Sequence, residues 1–362
     1  MTLMVRDEAD IVGAMIDHHL AQGVDTLIVT DNGSVDGTKE LLEDYAARGL
    51  LVLHHDPEHR KQQAPTVTRM AREAATEHGA DWVINADADE FWLPRAGGMT
   101  LKKAFSGIPT SIQAFDVPVH DMIGPAALAG TGLQRLLYRD LRSVEALQRV
   151  GLKAHATHDA VHIGDPEVEV VQGNHFVSLE NRGPVPDGFE VEVLHFPWRS
   201  WSQYSRKVRN AGSAYENSEL TPSPNHHGMR DYRRLQDGVL YPLYLCRHPG
   251  EEELAAGIAS GEYVLDRRIA DTVASPVADE PVDHVTEPAE RAVGLAIADL
   301  DRRLSLADDR AARAEADAAA ARAELGRTTE ELRALHAQLD RVLSRRVVRA
   351  VDGAARLLRR GR

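Results

Sequence analysis

The chain has a single cysteine, Cys246, so no intramolecular disulfide can form and a reducing compartment is the expected setting. It has no surplus of basic charge. Lys and Arg number 42 against 56 Asp and Glu, and the formal net charge of −14 removes nucleic acid as a partner for the body of the protein. It has no uninterrupted apolar run near the ~20 residues needed to cross a bilayer. It also has no N-terminal basic segment followed by a long apolar stretch, so no signal peptide is expected and the cytosol is the predicted location. What is present, 362 residues, suffices for one large or two modest domains with a real core.

The most informative stretch is Asp81-Trp82-Val83-Ile84-Asn85-Ala86-Asp87-Ala88-Asp89-Glu90-Phe91-Trp92, an apolar strand that runs into three acids. If the strand stays extended, Asp87 and Asp89 point to one side and Ala88 to the other. Two adjacent carboxylates repel unless a cation sits between them. A hard divalent ion, Mn²⁺ or Mg²⁺, suits such a pair and keeps positions open for phosphate oxygens. The plainer reading is a strand followed by an acidic turn.

The first half alternates strand and helix signals. Strands are predicted over residues 2–5, 25–30, 50–53 and 81–85, with helices over 7–23, 36–48 and 65–78. This alternation means βαβ units, a mostly parallel sheet and an α/β fold. Ligands in such sheets sit at the carboxyl ends of the strands. The tips there are Arg6-Asp7-Glu8, Asp31-Asn32 and Asp87-Ala88-Asp89, so they should converge on one crevice. From about residue 111 to 197 short β-like runs recur (112–117, 168–171, 176–179, 191–194), which reads as an antiparallel half that completes the sheet. Residues 200–217 read as a helix and 219–250 as irregular. Residues 251–290 read as one helix and an acidic, Pro-punctuated linker.

From Ile297 onward the sequence changes character. Ile297, Leu300, Leu304, Ala307, Ala311, Ala314, Ala318, Ala321, Leu325, Thr328, Leu332, Leu335, Leu339 and Val342 recur at alternating spacings of three and four. That pattern predicts a coiled coil over residues 291–345; the alternative is a long, solvated, Ala-rich helix. In a parallel pair Arg303 would face the partner's Asp308, Arg310 the partner's Glu315 and Asp317 the partner's Arg322, so charge favours a parallel homodimer through residues 297–342. Such a stalk would be roughly 70 Å long. The last 22 residues hold eight arginines and one acid, Asp352, interleaved with Val347, Val348, Val351, Leu357 and Leu358. A basic amphipathic end of this kind, residues 344–362, suits an anionic membrane surface, which would make the protein peripheral at the inner face of the membrane. An ordinary basic helix end or a disordered tail has the same composition.

Three segments together carry a resemblance: Met4-Val5-Arg6-Asp7-Glu8-Ala9-Asp10, Val29-Thr30-Asp31-Asn32-Gly33-Ser34-Val35-Asp36-Gly37-Thr38, and Asn85-Ala86-Asp87-Ala88-Asp89-Glu90-Phe91. In this order and spacing they resemble the family 2-like glycosyltransferases with a GT-A fold, a Rossmann-like mixed sheet flanked by helices. A fourth segment, residues 195–208, beginning His195-Phe196-Pro197-Trp198-Arg199, is similar to the C-terminal motif of that group. The resemblance covers roughly residues 1–215; the full GT-A domain is expected over 1–250, then the helix and linker, the coiled coil, and the tail from 346 to 362.

The resemblance implies metal-dependent, inverting transfer of a sugar from a nucleoside diphosphate sugar to a glycan or glycoconjugate acceptor. It implies that Asp31 contacts the nucleobase, that Arg6 and Glu8 border the nucleotide pocket with Asn32 and Ser34, and that Asp87 lies against ribose or metal. Asp89 would hold the cation and His195 would complete its site, while Arg199 and Lys207 neutralise the leaving diphosphate. Each has a plainer rival: turn chemistry for Asp31-Asn32-Gly33-Ser34, a core histidine for His195, surface charge for Arg199 and Lys207. Glu90 reads as a structural acid that satisfies amides of the turn. The general base is not named by the sequence; Asp121, Asp159, His175 and Glu192 are candidates, and Gly173-Asn174-His175 resembles a motif of the family. Met1 lies only a few residues before Arg6, where family members have a longer first strand, so either a short strand or a start upstream of Met1 is expected. Two other readings stay open. One is a nucleotidyltransferase, although the Gly-rich basic loop it needs is replaced by Arg6-Asp7-Glu8-Ala9. The other is a non-catalytic scaffold with a degenerate head.

Overall fold

The four residues of β1 (Thr2–Val5) pair in parallel with β2 (Ile28–Asp31) on one side and with β4 (Trp82–Ala86) on the other. β3 (Val52–His55) extends the parallel set beyond β2. The structure, a computed structural model, describes residues 1–58, 63–216, 218, 227–344 and 346–360. Three helices link these strands: α1 (Val12–Ala21), α2 (Thr38–Ala47) and α3 (Gln63–Thr76). Each forms for a legible reason. α3 buries Thr66, Val67, Met70, Ala71 and Ala74, the three-and-four spacing of one helical face. α1 stops at Gly23, whose φ of 84° continues the chain out of the helix.

β5 (Glu90–Pro94), α4 (Leu101–Ser106), β6 (Ala114–Val117), β7 (Val119–Ile123), β8 (Ala127–Ala129), β9 (Tyr138–Asp140), α5 (Val144–Arg149), β10 (Asp159–Ile163) and β11 (Val191–His195) follow. The antiparallel half expected from the sequence is present. β10 runs antiparallel to both β4 and β6, giving a six-stranded mixed sheet of order β3-β2-β1-β4-β10-β6. A second sheet, completed by β12 (Tyr263–Leu265), has the order β12-β9-β7-β11-β5. The main core lies around the first sheet, with Leu3, Ile16, Val29, Phe91, Trp92 and Val161 fully buried. The α/β expectation, a mixed sheet flanked by helices with a long C-terminal helix, is met.

Three local expectations are corrected. Residues 168–171 and 176–179 read as strands but form only an isolated bridge, Val170 to Val177, flanked by hydrogen bonds from the Val171 amide to the Phe176 carbonyl and from the Ser178 amide to the Glu169 carbonyl, too few for a ladder. Residues 219–250 read as irregular, yet after α6 (Trp201–Glu216) the structure has α7 (His227–Gln236) and α8 (Leu240–Arg247); residues 219–226 lie outside the described set. Pro242 is tolerated in the first turn of α8 because its missing N–H has no helical partner there. Leu240, Tyr244 and Leu245 then bury against Tyr204 and Val208 of α6. Residues 251–290 read as helix and linker. The helix is α9 (Glu251–Ser260), but the rest is packed: Ile269 and Val273 enter the main core, Val282 joins the α6–α8 cluster, and β13 (Glu280–Pro281) pairs with β8.

The chain divides into two units, Met1–Asp299 and Leu300–Arg362. In the first unit, the start of α10 (Glu287–Leu343) packs tightly. A Cβ at Gly294 would stand 2.1 Å from the Pro242 carbonyl oxygen, so only glycine allows that approach. Ala298 is buried with Val150, Leu243 and Cys246, and Ile297 packs on the same cluster. The first residue of the expected coiled-coil seam is thus already used within this unit. The second unit holds the remainder of α10 and α11 (Arg346–Arg360); Leu300, Leu304, Leu325, Leu332, Leu335 and Leu339 are exposed. No helix among the described residues is long and apolar enough to cross a membrane.

Candidate active site

The tips of β1, β2 and β4 do converge. With one face of α6 they enclose a cleft of about 210 Å³ lined by Arg6, Glu8, Asn32, Asp87, Asp89 and Lys207 among others. Parallel pairing places these tips side by side, since Val5 lies opposite Asp31 in the register and β4 flanks β1. At the β1 tip Asp7 adopts a left-handed backbone, φ 56°, a strain of roughly 1–3 kcal/mol for a non-glycine residue. Its surroundings hold it there. The Val35 amide donates to Asp7 Oδ1 at 2.8 Å, Asn210 Nδ2 donates to Oδ2 at 2.7 Å, and the Asp7 amide donates to Ser34 Oγ at 3.1 Å.

The β4 tip differs from the extended reading. The strand ends at Ala86, and Asp87-Ala88-Asp89 is a turn. Glu90 clamps it: the Asp87 amide donates to Glu90 Oε2 at 2.9 Å, and the Glu90 amide donates to the Asp87 carbonyl at 3.2 Å. Glu90 is therefore the structural acid expected. Burial, then the charges of Asp159 and Asp87, push its carboxyl well above the usual range. Because the segment turns, the two aspartates have separate surroundings. Asp87 Oδ1 accepts from Gln63 Nε2 at 3.1 Å and from Asn174 Nδ2 at 3.2 Å. Burial, then the charge of Asp89, raises its pKa.

Asp89 is buried and surrounded by cations. Its Oδ2 accepts from Lys207 Nζ, with Arg199 Nη1 at 3.6 Å and His195 Nε2 at 3.7 Å. Burial opposes its ionisation, but Lys207 and His195 outweigh that and hold the carboxyl well below its usual pKa. The other nitrogen of His195, Nδ1, lies 2.8 Å from Asp121 Oδ1. Burial disfavours the imidazolium, yet Asp89 and Asp121 together raise its pKa well above the ordinary value.

Among the described residues no group of three or more His, Cys, Asp or Glu side chains is placed to hold a metal unaided. Two donors do fit. His195 Nε2 and Asp89 Oδ2, 3.7 Å apart, are spaced as two ligands of one ion once Lys207 Nζ leaves Oδ2 and Nε2 gives up its proton, and Asp121 holds the distal nitrogen as a carboxylate behind a metal-bound histidine does. A hard cation with few protein ligands and several phosphate or water oxygens is the usual Mg²⁺ arrangement. Asp87, turned toward Gln63 and Asn174, is not part of that pair.

Several predicted residues take structural positions. Arg199 precedes α6 and is fully buried, donating from Nε to Asp10 Oδ2 at 2.9 Å and from Nη2 to Glu8 Oε2. It braces the β1 tip from beneath and does not line the cleft; Lys207 does. Asp31 is buried, with Oδ1 accepting from the Ser34 amide at 3.2 Å, the turn chemistry that was its rival reading. Asn32 Nδ2 donates to the carbonyls of Asp56 and Glu58, and Arg6 Nη1 to the Asn32 carbonyl. Glu192 is not at the cleft. Its carboxylate is engaged by Arg139 at 2.7 Å, Arg268 at 2.6 Å and His120 at 3.5 Å, which hold its pKa far below the usual range against the penalty of burial. Asp121 is committed to His195, and Asp159 lies 3.0 Å from His175.

Asp10, Gln63, Asn174 and Asn210 belong to the site but were not singled out. Asp10 and Asn174 lie inside segments that carry the resemblance, and Asn210 lies three residues after Lys207, on the same face of α6 with Ala211 and Ala214; Gln63 had no sequence signal.

Against this geometry, comparisons with known proteins give the following. Two curated proteins, the UDP-N-acetylmuramate–L-alanine ligases of Clavibacter michiganensis subsp. michiganensis (strain NCPPB 382) and Clavibacter sepedonicus, are each 26% identical over 160 residues, covering 41% of this chain and 31% of theirs. The chain thus spans about a third of the length of these curated relatives. Among solved structures, S. aureus TarS is 11% identical with a TM-score of 0.29, covering 83% of this chain and 53% of that one. Its residues 1–349 in complex with UDP-GlcNAc give 11% identity and a TM-score of 0.32, covering 68% and 78%. Residues 2–121 match the model of glycosyltransferase family 92, not the family 2 that the motifs resemble. That span runs from β1 through the Asp87–Asp89 turn to Asp121, so the half of the cleft built by the strand tips lies within the matched residues.

Proposed function

We propose that this protein is a metal-dependent, inverting glycosyltransferase that moves a sugar from a nucleoside diphosphate sugar to a glycan or glycoconjugate acceptor. One observation carries the reading: within a chain matching a glycosyltransferase model, the Asp87–Asp89 turn faces Lys207 across a cleft at the carboxyl ends of parallel strands. The family 2-like motifs and the family 92 match agree on this class of enzyme. The β1 tip reads Arg6-Asp7-Glu8-Ala9, without the Gly-rich loop of a nucleotidyltransferase.

Arg6, Asn32 and the Asp31–Ser34 turn form the nucleotide side of the cleft. Asp89 and His195 would hold Mn²⁺ or Mg²⁺, which when bound supplies a Lewis acid for the charge on the departing diphosphate. Lys207, paired with Asp89 across the cleft, offers a further positive charge to the diphosphate. Glu8, Asp10 and Arg199 keep the β1 tip in place. The exposed leucines of the second unit are assigned to a parallel homodimer through residues 297–342. The basic helix α11 is assigned to an anionic membrane surface, which places the enzyme on the cytoplasmic face. Its arginines Arg349, Arg356, Arg359 and Arg360 project from one side of the helix and Val347, Val351 and Ala354 from the other.

Thermal shift with UDP, GDP and dTDP, each with and without Mn²⁺, tests the central assignment. Stabilisation by at least one nucleotide, increased by Mn²⁺, is expected; no metal-dependent stabilisation by any of them would overturn it. Co-sedimentation with phosphatidylserine vesicles, with and without residues 344–362, tests the tail, whose loss should abolish pelleting.

A further inference from the structure

We infer that His175 is the proton acceptor for the attacking hydroxyl, and that Asp159 is the residue that positions it. The inference rests on the glycosyltransferase reading above. Its basis is the geometry of the turn that carries His175. Gly173 and Asn174 are consecutive left-handed residues, φ 89° and 63°. They fold the imidazole of His175 back over the turn, so that a Cβ at position 173 would lie 3.1 Å from the ring's Cδ2 and Nε2. The ring thereby reaches Asp159, at the start of β10, with Nδ1 3.0 Å from Oδ1.

The two partners differ sharply in exposure. The Asp159 side chain is 1% exposed and that of His175 is 34% exposed. Asp159 Oδ2 is buried and accepts no hydrogen bond from the described residues. A carboxylate placed in this way accepts Nδ1–H and fixes the tautomer, leaving Nε2 as the lone-pair nitrogen.

The turn is tied to the cleft at two points. Asn174 is buried and donates from Nδ2 to Asp87 Oδ1 at 3.2 Å; Gln172 donates to Gln63, which donates to the same Asp87 oxygen at 3.1 Å. A third tie runs to the strand that bears Asp159, where the Ala160 amide donates to the Asn174 carbonyl at 3.0 Å. The turn that carries His175 is therefore anchored to Asp87, a residue that lines the cleft. The other candidates are engaged elsewhere, Asp121 by His195 and Glu192 by Arg139 and Arg268.

In the proposed step the acceptor oxygen forms a bond to the anomeric carbon while the bond from that carbon to the diphosphate oxygen breaks. The diphosphate leaves with the bonding electron pair. The hydroxyl proton passes to His175 Nε2, whose positive charge is stabilised by Asp159, and is then lost to water.

The test uses the full chain, UDP-, GDP- and dTDP-linked hexoses as donors, and water as the acceptor, reading nucleotide release. His175→Gln should lower kcat by about 10²–10⁴-fold, with donor KM and metal-dependent nucleotide stabilisation unchanged. Asp159→Asn should lower kcat by a smaller factor, again at unchanged KM. Exogenous imidazole should restore part of the activity of His175→Ala, which a merely structural histidine would not allow. Wild-type turnover with full activity in His175→Gln, or a loss of activity matched by a loss of nucleotide binding and no imidazole rescue, overturns the assignment of His175 alone. Absence of turnover by the wild type with every donor overturns the glycosyltransferase reading and this inference with it.

Discussion

Asp121 Oδ1 lies 2.8 Å from His195 Nδ1, and the far nitrogen of the same ring faces Asp89 across 3.7 Å. This relay makes Asp121 the most informative test of the metal assignment. Asp89→Ala removes the proposed ligand and should abolish metal-dependent nucleotide binding and turnover; full activity in that variant would refute the assignment. It also leaves Lys207 and Arg199 without their shared carboxylate, so loss of function alone is ambiguous. Asp121→Asn leaves those pairs intact. It should raise the Mn²⁺ concentration needed for half-maximal stabilisation with nucleotide about 10–100-fold. Because Asp121 also supports the buried His195 charge, the metal-free melting temperature falls as well, and the Mn²⁺ response is read relative to each variant's own metal-free value.

Arg199 is the second test. It is fully buried and is shared by Glu8, Asp10 and Asp89. Arg199→Ala strands buried carboxylates, and breaking such a pair costs about 3–5 kcal/mol. The expected result by calorimetry is a melting temperature lowered on the order of 10 °C. Arg199→Lys should recover only part of the loss, because a single ammonium cannot bridge Asp10 through two nitrogens as the guanidinium does.

The parallel strands, and the convergence of their tips, were legible because hydrophobic periodicity and punctuation by Gly23 and Gly49 are local signals. So was the role of Glu90, since an acid one residue past a turn is well placed to meet its amides. The direction of each acid was not. Asp87 and Asp89 were assigned to one side on strand geometry, but the turn after Ala86 separates them by surroundings, and a turn angle is set by tertiary contacts such as Gln63 and Asn174. Arg199 was expected in the cleft because it shares a segment with Lys207; the helix start after it was legible, but only the fold shows that Arg199 turns under the β1 tip. The packing of residues 261–290 was hidden for another reason. Its Pro and acids read as linker, while the few residues that bury, Ile269, Val273 and Val282, are too widely spaced to form a periodic pattern.

Buried histidines make stability fall in mild acid. Burial pushes His248 down to about 3 and His162 down to about 4, with Arg135 adding to the shift of His248. A folded-state pKa below the unfolded value of roughly 6.5 means that the unfolded chain takes up these protons first. Stability is therefore complete above about pH 6.5 and lost as pH falls toward 4, by about 1.4 kcal/mol per pH unit for each histidine. His195 has the opposite sign, but its contribution is fully present below pH ~6.5 and adds no slope in this window. The raised carboxyls of Glu90 and Asp87 slope the other way, so the histidine contribution is read from urea unfolding between pH 7 and 4.5 as the difference between the wild type and a histidine variant. His248→Gln, which keeps an N–H donor for the Gly124 carbonyl that His248 Nδ1 meets at 2.9 Å, should flatten the slope by close to one proton.

The second unit gives the last test, and the structure decides where to cut. Leu300, Leu304, Leu325, Leu332, Leu335 and Leu339 are exposed at the alternating spacing of a coiled-coil seam. Opposite charges flank that seam in a parallel pairing, yet exposed pairs of this kind contribute only about 0–1 kcal/mol each, so burial of the leucines must supply most of the association. A truncation near Pro288 would remove the stalk, but it would also remove Gly294, Ile297 and Ala298, which pack against Pro242, Leu243 and Cys246. Its effect on the head would obscure its effect on assembly. A chain ending after Asp299 keeps those contacts and discards the exposed seam. Analytical ultracentrifugation should find the full chain dimeric and the chain ending at Asp299 monomeric. Leu332→Asp with Leu339→Asp in the full chain should also give a monomer with the melting temperature of the truncated head. A full-length chain that sediments as a monomer would leave α10 a solvated single helix.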